Sequence, residues 1–406
     1  MMAQFTIKSK TPIISGFRGI YNNWQLGNVL GLEILNNNNW IKLLYRLTND
    51  SIYSIMIVLR ANILIILGEI TMPSLQSAFI DFHNKIKLDD ENEVLRSKRK
   101  ILLDKLKNKI TDDAASYTTF NQGSYAMHTG IHPADDDYDI DVGIKFDIDK
   151  DDYADPVKVK KWVKDALDGH TKKVEIRRSC VTVQYQQDNE PLYHVDFAIY
   201  AADNRDGKLY IAKGKENSLP ENRFWELSDP QGLISVIADR FTEKDGEQFR
   251  RVIRYFKKWK DQQFSSTGSS APTGIALTVL AYHLFNPVST YDVVSNTASY
   301  NDFDAFKNLS NSIQSAFTYC YEVNSNEHYH KISSKLPVDP GNDLFDKMTA
   351  KQMEAFYGKV QTLISKLNEA DEKSKLSEKC TVLSEIFGDD FPIKSQRSMV
   401  GSTESA

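Results

Sequence analysis

The sequence predicts an α+β fold in which a strand-rich lobe precedes a helical lobe. Two observations predict it: alternating apolar runs and turns fill about Thr118–Ile211, and helical apolar spacing dominates the chain after Asp229. The chain has 406 residues, so two or three domains or one large two-lobed domain are expected. With 41% hydrophobic and 26% charged residues, the composition excludes a disordered chain, a collagen and a coiled-coil rod.

Charge and cysteine content narrow the class of protein. The formal net charge is −5 and the pI is about 6.0, so no overall positive field indicates nucleic-acid binding. Cys180, Cys320 and Cys380 lie far apart and lack metal-binding spacing. We therefore expect neither a zinc ribbon nor a disulfide framework, and we expect a cytoplasmic location.

The first 71 residues differ in character from the rest. The apolar run Ser51–Ile70 has the length of a membrane span, but Arg60 near its middle would cost about 2.5–3.5 kcal/mol on insertion. Three interpretations stay open: a buried or membrane-apposed helix, a true span, or translated upstream sequence before a start at Met72. The asparagine run at 36–39 favours upstream sequence, and no signal-peptide pattern precedes the run.

From Met72 onward the chain has the pattern of a folded core. Apolar residues at helical spacing predict two helices with a break around Leu88–Asn92, before the strand region. We expect an N-terminal extension at 1–71, a strand-rich lobe with N-terminal helices at 72–228, a helical lobe at 229–392 and a disordered tail at 393–406. The later helical patterns are Asp229–Phe264, Thr273–Phe285, Phe303–Glu322 and Asp346–Asp371.

An acidic strand is the first candidate for chemistry. The run Tyr138–Phe146 alternates, so its apolar residues share one face while Asp139 and Asp141 share the other. Two carboxylates side by side repel each other unless a cation lies between them, and Mg²⁺ suits such a pair. A solvated acidic edge is the alternative for a bare D-x-D motif.

A second alternating run strengthens the metal interpretation. His194–Tyr200 places Asp196 on a polar face together with His194. If the two strands are neighbours, Asp196 joins the two carboxylates of the first strand. Three carboxylates would hold two metal ions, the arrangement used for in-line phosphoryl or nucleotidyl transfer.

The loop upstream of the acidic strand supplies a candidate phosphate cradle. Gln122, Gly123 and Ser124 precede a predicted short helix at Tyr125–Thr129. A Gly-Ser turn there would offer backbone N–H groups and a hydroxyl to an anion. Alone the dipeptide carries no information, but some fifteen residues before a D-x-D strand it indicates a triphosphate site.

These motifs together carry a family resemblance. G-S, then D-x-D on a strand, then a single Asp on another strand resembles the polymerase-β-like nucleotidyltransferase superfamily. Within it, QGSYAMHTGIHPADDDYDIDVG is similar to the bacterial CD-NTases, the DncV-like relatives of cyclic GMP-AMP synthase found in CBASS anti-phage systems. Four further segments are similar to parts of the same family: FRRVIRYFKKWKDQ, SSAPTGIALTVLAYHLF, LPVDPGNDLFDKMT and SEIFGDDFP. The resemblance covers about residues 72–392.

The resemblance implies a polymerase-β-like lobe with a mixed β-sheet, a C-terminal helical lobe and an active-site cleft between them. Asp139, Asp141 and Asp196 would be the catalytic residues and the ligands of two Mg²⁺ ions, for which Mn²⁺ could substitute. One ion would lower the pKa of an attacking hydroxyl and the other would neutralise the triphosphate. Asp196 would accept the hydroxyl proton.

The resemblance also implies a substrate and a product. Gln122, Gly123, Ser124, Lys257 and Thr273 would bind nucleotide, although relatives often carry Ser where this chain has Thr273. ATP, GTP or both would be joined into a linear intermediate and then cyclised, without a template nucleic acid. The cyclic di- or trinucleotide would be a second messenger for a neighbouring effector.

Several other residues have competing interpretations. On the helix Phe249–Gln262, four basic residues could form a solvated face, or Lys257 could reach the triphosphate. Arg177 and Arg178 could meet phosphate or a base, or pair with the acidic cluster. His128 and His132 flank the cradle and could touch substrate. The basic residues of the helix are Arg250, Arg254, Lys257 and Lys258.

Two rival functions stay open at this point. The first is another nucleotidyltransferase, namely a linear oligoadenylate synthase, an RNA-tailing enzyme or a protein-modifying toxin. A tailing enzyme should show a basic RNA-binding surface, which the composition does not indicate. The second rival is a catalytically inactive nucleotide-binding regulator. No P-loop motif is present, which disfavours a P-loop ATPase.

Overall fold

The computed structural model describes residues 74–88, 93–133, 138–187, 190–265, 271–294, 296–323 and 326–394. All described elements belong to one compact unit that begins at Pro73. The predicted extension at 1–71, with its apolar run Ser51–Ile70, lies outside the described residues, as does most of the predicted tail. Within the described part of the chain, none of the helices combines the length and apolar composition needed to cross a bilayer.

Along the chain, helices occur before, between and after the strands of the large sheet. Two of them, α1 and α2, precede the first strand, and their separation matches the break predicted around Leu88–Asn92. The helices are α1 (Leu75–Ile86), α2 (Glu93–Lys109), α3 (Gly123–Ala126), α4 (Pro156–Leu167), α5 (Pro230–Asp239), α6 (Glu243–Gln263), α7 (Gly274–Leu284), α8 (Asp302–Ser315), α9 (Ala350–Glu372) and α10 (Leu376–Phe387).

The strands form one large mixed sheet and two separate hairpins. Within the described residues the large sheet has the order β1-β2-β5-β4-β3, with β6 beside β5 and β7 beside β6. Only β2 and β5 run parallel there; the other pairs are antiparallel. The strands are β1 (Tyr117–Asn121), β2 (Tyr138–Phe146), β3 (Lys173–Ile176), β4 (Val181–Gln187), β5 (Glu190–Ala201), β6 (Tyr210–Lys213), β7 (Phe224–Leu227), β8 (Ser289–Asp292), β9 (Thr297–Tyr300), β10 (Thr318–Glu322) and β11 (Glu327–Lys331).

The apolar face of the sheet forms the first core. On β2, Ile140, Val142, Ile144 and Phe146 are buried in this cluster, as their alternation predicts. Helix α4 covers the same face with Val159 and neighbouring apolar residues. The opposite face of β2 and β5 is thereby left to carry the polar residues of the candidate site.

The second core holds the helical lobe together. Helix α6 buries Phe249, Val252, Ile253, Phe256 and Trp259, the apolar set predicted from its periodicity. The buried face of α1 belongs to this cluster and not to the sheet cluster. The first helix thus packs with the helical lobe although the predicted boundaries grouped it with residues 72–228; the division at residue 228 stays a prediction.

A buried ion pair links elements within the helical lobe. Asp302, with no exposed surface, accepts two hydrogen bonds from the guanidinium of Arg251, at 2.6 and 2.8 Å. The hydroxyl of Tyr255 donates to the same carboxylate at 2.9 Å. Burial would raise the pKa of Asp302, but these hydrogen bonds and the Arg251 charge outweigh it and lower the pKa.

Two helical predictions need correction. The pattern Phe303–Glu322 was predicted as one helix, but α8 ends at Ser315 and the chain continues as strand β10. The β-formers in Thr318–Glu322 pair with the next strand, β11, so a local hairpin prevails over the apparent helical period. The pattern Asp229–Phe264 forms two helices, because Thr242 begins α6 after a short break.

Candidate active site

Four polar side chains meet on one face of the parallel strand pair. The register of β2 and β5 places Asp139 beside His194 and Asp141 beside Asp196. Because side chains alternate along both strands, all four lie on the face opposite the apolar core. The condition set by the sequence, that the two strands be neighbours, is met, and the three predicted carboxylates come together.

Crowding of these carboxylates shifts the titration of Asp141. Burial, followed by the charges of Asp139 and Asp196, raises its pKa from 3.8 to about 7, and His194 partly opposes the rise. Carboxylates held this close without a cation resist ionisation, and a divalent cation would relieve the repulsion. The donor set therefore fits a divalent metal ion.

The group of side chains that could hold one metal ion contains two of the three aspartates and a histidine. Asp139, His194 and Asp196 each offer one ligand atom, and these atoms all lie within 4.8 Å of one another. His194 Nε2 lies 3.3 Å from Asp139 Oδ1. The sequence placed His194 on this face without assigning it a role, although its spacing of two from Asp196 was a usable signal.

The carboxylate of Asp141 lies against the turn at Gly123. A Cβ on Gly123 would lie 1.9 Å from Asp141 Oδ2, and Gly123 has a φ of +70°, which favours glycine. The sequence interpretation reserved this glycine for close approach of a phosphate; in the structure the nearest group is the Asp141 carboxylate. The predicted helix Tyr125–Thr129 is observed as α3, two residues earlier, with Gln122 at its N-cap.

The neighbouring strand β4 holds Asp196 in place. Thr182 lies opposite Asp196 in the antiparallel register, and its hydroxyl donates to Oδ1 at 2.5 Å. The thiol of Cys180 donates to Oδ2 at 3.2 Å. Burial, then the charge of Asp196, raises the pKa of Cys180 to about 12, so the thiol keeps its proton. The sequence analysis missed both residues, because it gave no pairing partner for β5 beyond β2.

Helix α6 supplies a cation to the same cleft. Lys257 is 7% exposed, and its ammonium donates to the carbonyl of Thr129 at 2.9 Å and to its hydroxyl at 3.0 Å. Burial, and then the charges of Arg254 and Lys260, lower its pKa to about 7. Lys257 lines the same cleft as Gly123 and Ser124, and its role in nucleotide binding stays a prediction.

The solvated basic face predicted as the alternative for α6 is wrong for three of its four residues. Arg254, Lys257 and Lys258 are all buried. Arg254 donates to the carbonyl of Gly130 at 3.0 Å, and Lys258 pairs with Asp390 at 2.5 Å. Their aliphatic stems are buried, and their charged ends reach polar partners on other segments.

The cleft itself has a volume of about 390 Å³ and is bounded by both parts of the fold. The strand-rich part contributes the cradle and two of the aspartates, and the helical part contributes α5, α6 and the start of α7. Thr273 is the N-cap of α7, where its hydroxyl accepts from Ala276 N at 3.2 Å; the next two residues line the cleft. The lining includes Gln122, Gly123, Ser124, Asp139, Asp141, Lys257, Lys260, Asp261, Gly274 and Ile275.

The part of the chain that carries these residues matches a known protein family. Residues 118–200, which contain the cradle and all three aspartates, match the family model described as "Cyclic GMP-AMP synthase DncV-like, nucleotidyltransferase domain". This segment is similar to a DncV-like nucleotidyltransferase domain. The resemblance to bacterial CD-NTases is thereby confirmed.

One curated relative matches part of the chain. The chain is 30% identical over 188 residues to a cyclic GMP-AMP synthase from Escherichia albertii. The match covers 44% of this chain and 39% of the relative, so the chain spans about two fifths of the relative's length.

The similarity to solved structures extends beyond residues 118–200. The Vibrio cholerae DncV cyclic AMP-GMP synthase aligns with a TM-score of 0.56 at 17% identity, over 76% of this chain and 93% of that chain. The Bradyrhizobium diazoefficiens CD-NTase CdnG aligns with a TM-score of 0.56 at 12% identity, over 78% and 96%. The predicted fold class, a mixed-sheet lobe with a C-terminal helical lobe, is confirmed.

The other candidate residues named from the sequence have partners of their own. His132 contacts the hydroxyl of Tyr138 at 3.1 Å and borders a second cavity. Arg177 pairs with Glu175 at 2.8 Å; burial lowers the pKa of Arg177, but this hydrogen bond and the charge of Asp196 outweigh it and raise the pKa. The carbonyl of Arg178 accepts from the buried ammonium of Lys160.

Proposed function

We propose that this chain is a metal-dependent, template-independent nucleotidyltransferase that joins nucleoside triphosphates into a cyclic di- or trinucleotide. One observation carries the proposal: Asp139, Asp141 and Asp196 lie on one face of adjacent strands, and two of them line a cleft together with Gly123, Ser124 and Lys257. A carboxylate cluster beside a glycine turn and a buried lysine suits a triphosphate substrate.

The aspartates are assigned to metal binding. Asp139, Asp141 and Asp196 would hold two Mg²⁺ ions, and Mn²⁺ would substitute. When bound, such ions neutralise the triphosphate and favour ionisation of the attacking hydroxyl. Thr182 and Cys180 fix the Asp196 carboxylate by hydrogen bonds to its two oxygens, and Asp196 accepts the proton of the hydroxyl.

The remaining lining residues are assigned to nucleotide binding. Lys257 offers a buried ammonium to the phosphates, held at the cleft by Thr129. Ser124 adds a hydroxyl donor beside the carboxylates, and Gln122, fixed by the Tyr200 hydroxyl at 2.9 Å, positions the turn. Thr273 acts through the helix start that it caps, because its hydroxyl oxygen already accepts from Ala276 N.

The substrate class rests on similarity. One solved structure holds V. cholerae DncV with the linear intermediate 5′ pppA(3′,5′)pG, and another holds CdnG with GTP. By analogy, ATP and GTP are the proposed substrates here, and a neighbouring effector in anti-phage defence is the proposed receiver of the product. The net charge of −5 favours synthesis without a nucleic-acid template.

The test is a product assay on the full chain. Each labelled triphosphate, alone and in pairs, is incubated with Mg²⁺ or Mn²⁺, treated with phosphatase and analysed by mass spectrometry. We expect a phosphatase-resistant cyclic product in the wild type and in Asp165→Asn, an exposed control on α4. Asp139→Asn combined with Asp141→Asn should give none.

Other outcomes would contradict the proposal. Linear, phosphatase-sensitive oligomers would indicate an oligoadenylate synthase or tailing enzyme, and labelled protein would indicate a protein-modifying enzyme. Nucleotide binding with no product under any pair and either metal would indicate an inactive regulator.

A further inference from the structure

The carboxylate face contains a fourth donor that the three-aspartate arrangement does not use. Asp139 and Asp141 on β2 stand opposite His194 and Asp196 on β5, so the parallel register creates a square of three carboxylates and one imidazole. His194 Nε2 points into this square, 3.3 Å from Asp139 Oδ1. One corner of the square therefore offers nitrogen where the others offer oxygen.

Three of the four donors are close enough to share one ion. The ligand atoms of Asp139, His194 and Asp196 lie within 4.8 Å of one another. Metal–ligand bonds of about 2.1 Å place ligands on opposite sides of an ion about 4.2 Å apart, so small side-chain rotations close the set. Asp139 retains half of its side-chain surface, and His194 retains 15%, so an ion can reach them from the cleft.

The chemistry of this set differs from an all-oxygen site. Mg²⁺ is a hard ion that is bound through carboxylates, phosphates and water. An imidazole nitrogen favours first-row transition ions, whose affinity for mixed nitrogen and oxygen sites rises from Mn²⁺ onward. We infer that His194 is a metal ligand, and that the position formed by Asp139, His194 and Asp196 prefers a divalent transition ion over Mg²⁺.

This inference deepens the proposed function, on which it rests, because it concerns one position of the same metal centre. The second position, between Asp139 and Asp141, keeps oxygen donors only and suits Mg²⁺. The competing role for His194 is a hydrogen bond that orients Asp139. An asparagine at 194 can still donate such a bond through its amide, but it offers no imidazole nitrogen.

The experiment uses Mn²⁺ as the probe on the full chain without nucleotide. Electron spin-echo envelope modulation of bound Mn²⁺ detects a directly coordinated ¹⁴N nucleus. We expect ¹⁴N modulation in the wild type and in His283→Ala, which removes an exposed histidine of the helical lobe. His194→Asn should lose the modulation and weaken Mn²⁺ binding by roughly tenfold or more, with Mg²⁺ affinity little changed.

The outcomes separate this inference from the proposed function. Bound Mn²⁺ without ¹⁴N modulation in the wild type, or modulation that persists in His194→Asn, overturns the inference alone. Equal weakening of Mn²⁺ and Mg²⁺ in a folded His194→Asn also overturns it, because a positioning role predicts that result. No Mn²⁺ binding by the wild type overturns both. Bound Mn²⁺ with ¹⁴N modulation but no nucleotide product overturns the proposed function alone.

Discussion

Removing the charge of Asp141 should stabilise the metal-free protein by an amount that grows from about pH 4 and is complete above about pH 7. The pKa of Asp141 is raised from 3.8 to about 7 by burial and by its two neighbouring aspartates. A folded-state pKa above the unfolded value means that the folded protein keeps a proton that the unfolded chain releases. The stability conferred by that proton is complete below about pH 4 and is lost as the pH rises to about 7.

The magnitude follows from the size of the shift. A difference of about three pKa units at about 1.4 kcal/mol each amounts to at most about 4 kcal/mol above pH 7. Asp141→Asn removes the ionisation, so its free energy of unfolding should exceed that of the wild type by up to that amount at pH 8. At pH 4 both side chains are neutral and of similar shape, and the difference should fall below about 1 kcal/mol.

Denaturant unfolding in the presence of a chelator measures both values. Asp165→Asn, on an exposed part of α4, is the matched control and should show no such pH dependence. Adding Mg²⁺ should stabilise the wild type and do so much less for Asp141→Asn, because the proposed all-oxygen position includes Asp141. If Asp141→Asn is destabilised at pH 8, or if its offset is the same at pH 4 and pH 8, the carboxylates are not in repulsive contact and the reasoning fails.

Three further predictions concern the turn, the helical lobe and the cleft. Gly123→Ala should lower metal affinity and product formation by about tenfold or more, because the added Cβ displaces the carboxylate that contacts this turn; binding and product assays measure this. Asp302→Ala should lower the free energy of unfolding by about 3–5 kcal/mol, since it leaves the largely buried Arg251 with, among the described acidic residues, only a long contact of 4.0 Å to Glu247; denaturant unfolding measures the loss. Lys257→Met should weaken triphosphate binding by about ten- to a hundredfold while Mn²⁺ binding without nucleotide persists; titration with a non-hydrolysable triphosphate shows it.

Two of these three have a control variant within the chain. Gly169 has a φ of +68° and no atoms near the position of its Cβ, so Gly169→Ala carries the backbone strain of the turn variant without its clash. Equal metal affinities in the two glycine variants would contradict the steric argument. Asp304→Ala, one position beyond Phe303 on α8, should cost far less than Asp302→Ala. Normal triphosphate affinity in Lys257→Met would remove the lysine from the nucleotide site.

The strands of the site were predictable because their signal is local. The bounds predicted for Tyr138–Phe146 match β2, since a period of two with one apolar face is readable in nine residues. The run His194–Tyr200 likewise falls inside β5. Whether the two strands pair, and in which register, depends on the whole sheet. The sequence could therefore state the grouping of three aspartates only as a condition.

The parts that were missed depend on contacts between distant segments. Thr182 reaches Asp196 only because β4 pairs with β5, which no local period encodes. The burial of Lys258 depends on Asp390, about 130 positions later. The length of α8 was overestimated for a different, local reason, because the residues that follow it form a hairpin with the next strand, β11. Roles in metal and nucleotide binding stay predictions that the proposed experiments test.

The parallel pairing of β2 with β5 has a consequence for how the protein matures. Asp139 and His194 are about 55 positions apart, so their donors meet only after a long crossover has closed and the pair has aligned. A slip of one residue along β5 would turn Asp196 into the apolar core and Val195 out of it. In a newly made chain the proposed cation position would therefore form only after this non-local strand pairing. Time-resolved Mn²⁺ uptake during refolding would then measure when β2 and β5 pair in their native register.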